Sequence, residues 1–146
     1  MEKKAKTNSS FSRELSGGIL RAANEEERTV ELSFSSEEPY ERWFGVEILD
    51  HSDGCVDLER LCSIGCVLFN HKRDEVIAKV LEAKCENGRC TAVIQFDKDE
   101  KSDVIYQKVK GGTLKGVSVG YLVSVWEEVA AGKTSSDGRF TGPCSI

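Results

Sequence analysis

The chain lacks several things that would have assigned it quickly. No apolar stretch follows the basic opening "MEKK", so no secretory signal is read. No apolar run approaches the roughly 20 residues needed to cross a bilayer. No sustained basic run is present, and the net charge is −5, which argues against a nucleic-acid partner. Only two histidines occur, His51 and His71, so candidates for a neutral-pH general base are few. These absences predict a soluble, intracellular protein with neither nucleic acid nor membrane as partner.

What is present fits one ordinary domain. The chain has 146 residues, enough for a core without staples. Hydrophobic residues make up 39% and charged residues 31%, the balance of a globular protein. Six cysteines occur, at 55, 62, 66, 85, 90 and 144. Without a secretory signal, reduced thiols are expected. Cys62 and Cys66 lie four apart, with His71 following, and a metal site would want tighter ligand pairs. Neither a metal nor a cofactor is expected. "CENGRC" reads as a hairpin around Asn87-Gly88, which sets Cys85 opposite Cys90.

Residues 1–27 are polar, with the charge run "NEEER", and are expected to form a flexible N-terminal tail. The domain is expected over 28–146. "RTVELSFSS" alternates Val30, Leu32 and Phe34 against polar residues, a strand pattern. A second apolar run spans Val46 to Leu49, and "DHSDG" is turn chemistry. "VDLERLC" reads as a helical turn with Asp57 near its start. "IGCVLFN" reads as a short apolar strand. "VIAKVLEAKCENGRCTAVIQFD" reads as a long hairpin. "KDEKSDVIYQKVKGG" fits a helix of about ten residues, capped by Ser102 and ended by a left-handed Gly111. "TLKGVSVGYLVSVWEEV" is the next strand. The predicted class is α+β, mainly antiparallel β, as a sheet or barrel with flanking helices.

Chemistry is sparse. His71 ends an apolar strand and opens a charged loop, a fair place for a general base. His51, in "DHSDG", is read as a solvated turn residue. Ser118 lies between Gly116 and Gly120, and glycine within a strand marks a bulge or a close backbone approach. A serine nucleophile needs an adjacent base, and His71 is the candidate. "GVSVG" has no strand-turn-helix setting, so it is not a nucleophile elbow.

The order of "LFNHKRDEVIAKV" and "DVIYQKVKGGTLKGVSVGY" resembles the tailed-phage prohead (capsid maturation) serine proteases. The upstream stretch "RTVELSFSSEEPYERWFGVEILDHSDGCVDLERL" is similar to that family's N-terminal part, so the resemblance covers about 28–146. It implies a β-barrel like that of the herpesvirus assembly proteases. It implies a serine endopeptidase that cuts scaffold, or the scaffold-like segment of the major capsid protein, inside the procapsid in the host cytoplasm. It also implies self-cleavage and self-association.

By position, Ser118 matches the nucleophile and His71 the base. No histidine follows His71, so an acid is expected as third member, with Asp97, Glu127 and Glu128 as candidates. The family continues with a further strand after the serine strand, and that strand is missing here. The loop "AAGKTSSDGRFTG", with Arg139, is a candidate source of oxyanion contacts. Two other readings stand beside this one. The chain is a non-catalytic capsid-assembly protein with the same barrel, or the protease part of a protease–capsid fusion.

Overall fold

The computed structural model describes residues 3–15, 21–114 and 116–146. It has two five-stranded sheets, mostly antiparallel, and two short α-helices, an α+β fold dominated by β structure. The chain divides into two compact units. One takes the chain up to Arg13 together with Ser36–Asp50 and Gly120–Ile146. The other takes Glu14–Ser35 and His51–Val119.

The larger unit is built on a sheet ordered β2-β3-β8-β7-β6. Its strands are β2 (Arg21–Asn24), β3 (Thr29–Ser36), β6 (Cys66–Leu68), β7 (Val76–Glu86) and β8 (Arg89–Phe96). Strand β8 alternates strictly, with Cys90, Ala92, Ile94 and Phe96 buried and the residues between them less so. That period of two presents one face to the core. Val30, Leu32 and Phe34 of β3 and Ile77 and Ala78 of β7 complete this core. Helix α2 (Glu100–Lys110) adds Tyr106, whose ring lies 5.3 Å from that of Phe96.

The β7–β8 hairpin turns at Asn87-Gly88, both left-handed, as the sequence predicts for a two-residue turn. Cys85 and Cys90 face each other there and are joined as a disulfide, where thiols were expected. The direct register pairing supplies the proximity. Helix α1 (Glu59–Ile64) begins beside Asp57, whose carboxylate accepts from the Glu59 amide at 2.9 Å.

The caps of α2 differ from expectation. Asp99 is the N-cap and accepts from the Ser102 amide at 3.1 Å, while Ser102 itself is buried. A carboxylate at this position satisfies an orphan amide and meets the positive end of the helix dipole. At the other end Gly111 stays right-handed (φ −77°), and Gly112 takes the left-handed turn (φ +80°).

The smaller unit carries a second sheet, ordered β1-β9-β10-β5-β4. Its strands are β1 (Lys3–Leu15), β4 (Tyr40–Arg42), β5 (Gly45–Glu47), β9 (Val117–Val129) and β10 (Cys144–Ser145). Strand β10 runs antiparallel to β9 and parallel to β5. Ile48, Val129 and Cys144 form a small core. Glu47, inside the apolar run Val46 to Leu49, is fully buried. Tyr121 donates to its carboxylate at 2.5 Å, and Arg42 stands 3.4 Å away. A buried charge persists where such partners meet it.

Strands β1 and β2 fall within residues 1–27, the stretch expected as a tail. Sheet pairing runs through the backbone and does not require apolar side chains. Among the described residues no helix is long and apolar enough to cross a membrane.

Candidate active site

His71 is delivered by a tight loop. Strand β6 pairs with β7 through Cys66–Lys79 and Val67–Ala78, and the register then shifts before Leu68–Val76. The chain leaves β6 through a tight turn, Phe69–His71. Asn70 there has φ 52° and ψ 38°, and His71 has φ 57°. The loop closes on itself by three backbone hydrogen bonds. Lys72 donates to Phe69 at 3.1 Å, Glu75 to Lys72 at 3.0 Å, and Phe69 to Glu75 at 3.0 Å. Phe69 packs against the core of the larger unit and anchors the loop.

Ser118 is delivered by the strand that follows α2. After Gly112, the amides of Thr113 and Leu114 both donate to the Lys108 carbonyl, at 2.9 and 3.1 Å. Val117 and Val119 then turn toward the core, and Ser118 between them faces outward and is exposed. Gly116 lies just ahead of this strand. Among the described residues a Cβ on Gly116 would meet nothing within 4 Å, so no close approach to them demands a glycine there.

The two elements bring His71 Nε2 to 2.7 Å from Ser118 Oγ. The residues are 47 apart in sequence, and both are solvent-exposed. A serine hydroxyl at this distance from an imidazole nitrogen can pass its proton to the ring as it attacks an electrophile. Within its unit, and among the described residues, the His71 ring has Ser118 as its hydrogen-bond partner.

The other singled-out residues have structural surroundings of their own. Asp97 is exposed; its amide donates to Ile77 at 3.0 Å and its carbonyl accepts from Arg28 at 3.0 Å. Glu127 is buried, and its carboxylate accepts from the Ser136 amide at 2.6 Å and hydroxyl at 2.9 Å. Glu128 is exposed and sits opposite Ser145 in the β9–β10 pair.

Arg139 is clasped by three carboxylates: Asp50 at 2.6 Å, Asp137 at 2.8 Å and Glu37 at 2.9 Å. The Ser135 hydroxyl first, and Arg139 after it, hold the Asp137 carboxyl well below the usual carboxylate range.

His51 differs from its expected solvation. It is 7% exposed, and its Nε2 lies 2.8 Å from Ser35 Oγ. Among the described residues two serine–histidine pairs are thus seen, one buried and one open to solvent. Among the described residues no group of three His, Cys, Asp or Glu is placed to hold a metal ion.

The left-handed pair Asn70-His71 is the feature of the site that sequence reading missed. The signal available was Asn, the residue that tolerates this backbone most readily after glycine, directly ahead of the histidine.

The chain is 38% identical over 95 residues to a major capsid protein of Halomonas phage phiHAP-1. The match covers 62% of this chain and 16% of that protein, so the chain spans about a sixth of the relative's length. No protein-family model matches the chain, and no solved structure matches it. Over that stretch the chain is similar to a phage major capsid protein.

Proposed function

We propose that the chain is a serine endopeptidase of phage procapsid maturation, in the form found as part of a protease–capsid precursor. The observation that carries the reading is the 2.7 Å contact between His71 Nε2 and Ser118 Oγ on an exposed surface. The capsid similarity supports the setting. A match confined to a sixth of a major capsid protein is what a module joined to a longer capsid chain would give. The substrate of the proposal is the major capsid protein or its scaffold, cut inside the assembling procapsid in the host cytoplasm. A herpesvirus-protease-like barrel and self-association belong to the same proposal.

In this mechanism His71 takes the Ser118 proton as Oγ attacks a peptide carbonyl. The imidazolium then protonates the leaving amine, and water releases the acyl-enzyme by the same route in reverse. Backbone amides beside the serine are the proposed holders of the oxyanion. Asp97, Glu127 and Glu128 have no catalytic role in this proposal, and the serine–histidine pair is the reacting unit.

The test is co-expression with the cognate capsid precursor, comparing wild type, Ser118→Ala and His71→Ala by fragment mass. Removal of a capsid segment by wild type alone is expected. The same fragments from all three, or none from any, would sink the reading.

A second reading, a non-catalytic capsid-assembly protein, is favoured by the relative's name. It predicts that all three proteins leave the precursor intact and still accompany it into procapsids.

A further inference from the structure

We infer that Asn70 is a positioning residue, holding the left-handed turn that aims the His71 ring at Ser118. The inference rests on the serine–histidine reading above. Among the described residues, four other than glycine have positive φ: Arg28, Asn70, His71 and Asn87. Asn70 and His71 are the consecutive ones. The chain builds another left-handed pair at Asn87-Gly88, where asparagine leads and glycine takes the second place. That order is the favoured one, because a Cβ in left-handed backbone crowds the neighbouring carbonyl.

At 70–71 the leading asparagine is kept, and histidine stands where glycine would be unstrained. The fold accepts that arrangement because the loop is fixed on both sides. Phe69 is packed into the core, and three backbone hydrogen bonds close 69–75. Strain of this kind persists where the surroundings over-determine the path, and it gathers at functional sites. With the second position given to chemistry, the first must tolerate the turn. Asparagine does so and glycine would, while a β-branched residue would not.

The probe is a fluorophosphonate. Ser118 Oγ bonds to phosphorus, fluoride leaves, and the serine proton passes to the His71 ring. Labelling rates are measured for wild type, Asn70→Gly, Asn70→Ala and Asn70→Val, with circular dichroism as the check on folding. Asn70→Gly should label near the wild-type rate. Asn70→Val should fall by roughly tenfold or more, with Asn70→Ala between them.

The second readout is the NMR signal of the His71 ring, recorded for each variant with and without Ser118→Ala. Removing the hydroxyl should shift that signal in wild type and Asn70→Gly but not in Asn70→Val. An Asn70→Val protein with wild-type labelling and a wild-type response to Ser118→Ala would overturn the inference. So would an Asn70→Gly protein that loses both. If wild type does not label, the catalytic reading fails, and the NMR comparison alone decides the positioning. If Asn70→Val does not fold, the Gly and Ala variants decide by the same two readouts.

Discussion

His51 and Ser35 share a buried hydrogen bond of 2.8 Å, and they stand at the two points where the 36–50 segment leaves and rejoins the larger unit. The bond ties the ends of that excursion together. Ser35→Ala removes the hydroxyl that His51 Nε2 meets in the interior. A loss of about 1–3 kcal/mol in unfolding free energy is expected. Denaturant titration measures it. Fluorophosphonate labelling of Ser118 should not change, and an effect on labelling with no effect on stability would contradict this division of roles.

The left-handed backbone at His71 has a stability signature. His71→Gly relieves the Cβ strain and His71→Ala does not, though both delete the ring. The glycine variant should be the more stable of the two by about 1–2 kcal/mol, less the extra entropy of its unfolded chain. Thermal unfolding of the pair checks this. Equal midpoints would mean that residue 71 carries no strain.

Acid should loosen the start of α2. The Ser102 side chain and amide hold the Asp99 carboxyl below its usual range, and Arg28 does the same for Asp103 through a 2.6 Å contact. A depressed folded-state value means stabilisation that is present above the unfolded value, near 4, and lost as pH falls through the folded one. The thermal midpoint should therefore drop below about pH 4, and less steeply in Asp99→Asn. A variant with the wild-type slope would exclude the cap from acid sensitivity.

The cysteines should separate by alkylation. Cys55, Cys62 and Cys66 are exposed, Cys144 is buried, and Cys85 and Cys90 are paired. Burial pushes the Cys144 thiol up, and the nearby Glu127 charge adds to it, so thiolate is scarce there. Native alkylation followed by mass spectrometry should show three fast sites and one slow one, with two more only after reduction. Six fast sites without reductant would mean that the hairpin bridge does not form.

Much of the larger unit was legible in the sequence because its signals are local. Asn87-Gly88 names its own turn, and the alternation of β8 names its own face. The run from 100 to 110 has a helix length and a cap at each end, with errors of a few residues about which side chain caps. The closeness of Ser118 to His71 was expected from the order of motifs. No single spacing in the chain joins two residues 47 apart.

The features that were missed depend on partners distant in sequence. His51 looks solvated in "DHSDG" until Ser35 covers it. Glu47 looks like an interruption of an apolar run until Tyr121 and Arg42 meet its carboxylate. Arg139 looks like a loose loop cation until Glu37, Asp50 and Asp137 converge on it. Polar residues 3–15 do not announce a strand, because their place in the sheet comes through the backbone.

Ser118 faces outward because Val117 and Val119 are held inward, and that makes the serine's address a matter of parity. A residue inserted in the loop ahead of Val117 should be taken up by the loop, because the two valines fix the register. Exchanging Ser118 and Val119 in the order of the chain would instead turn the hydroxyl inward without changing the composition.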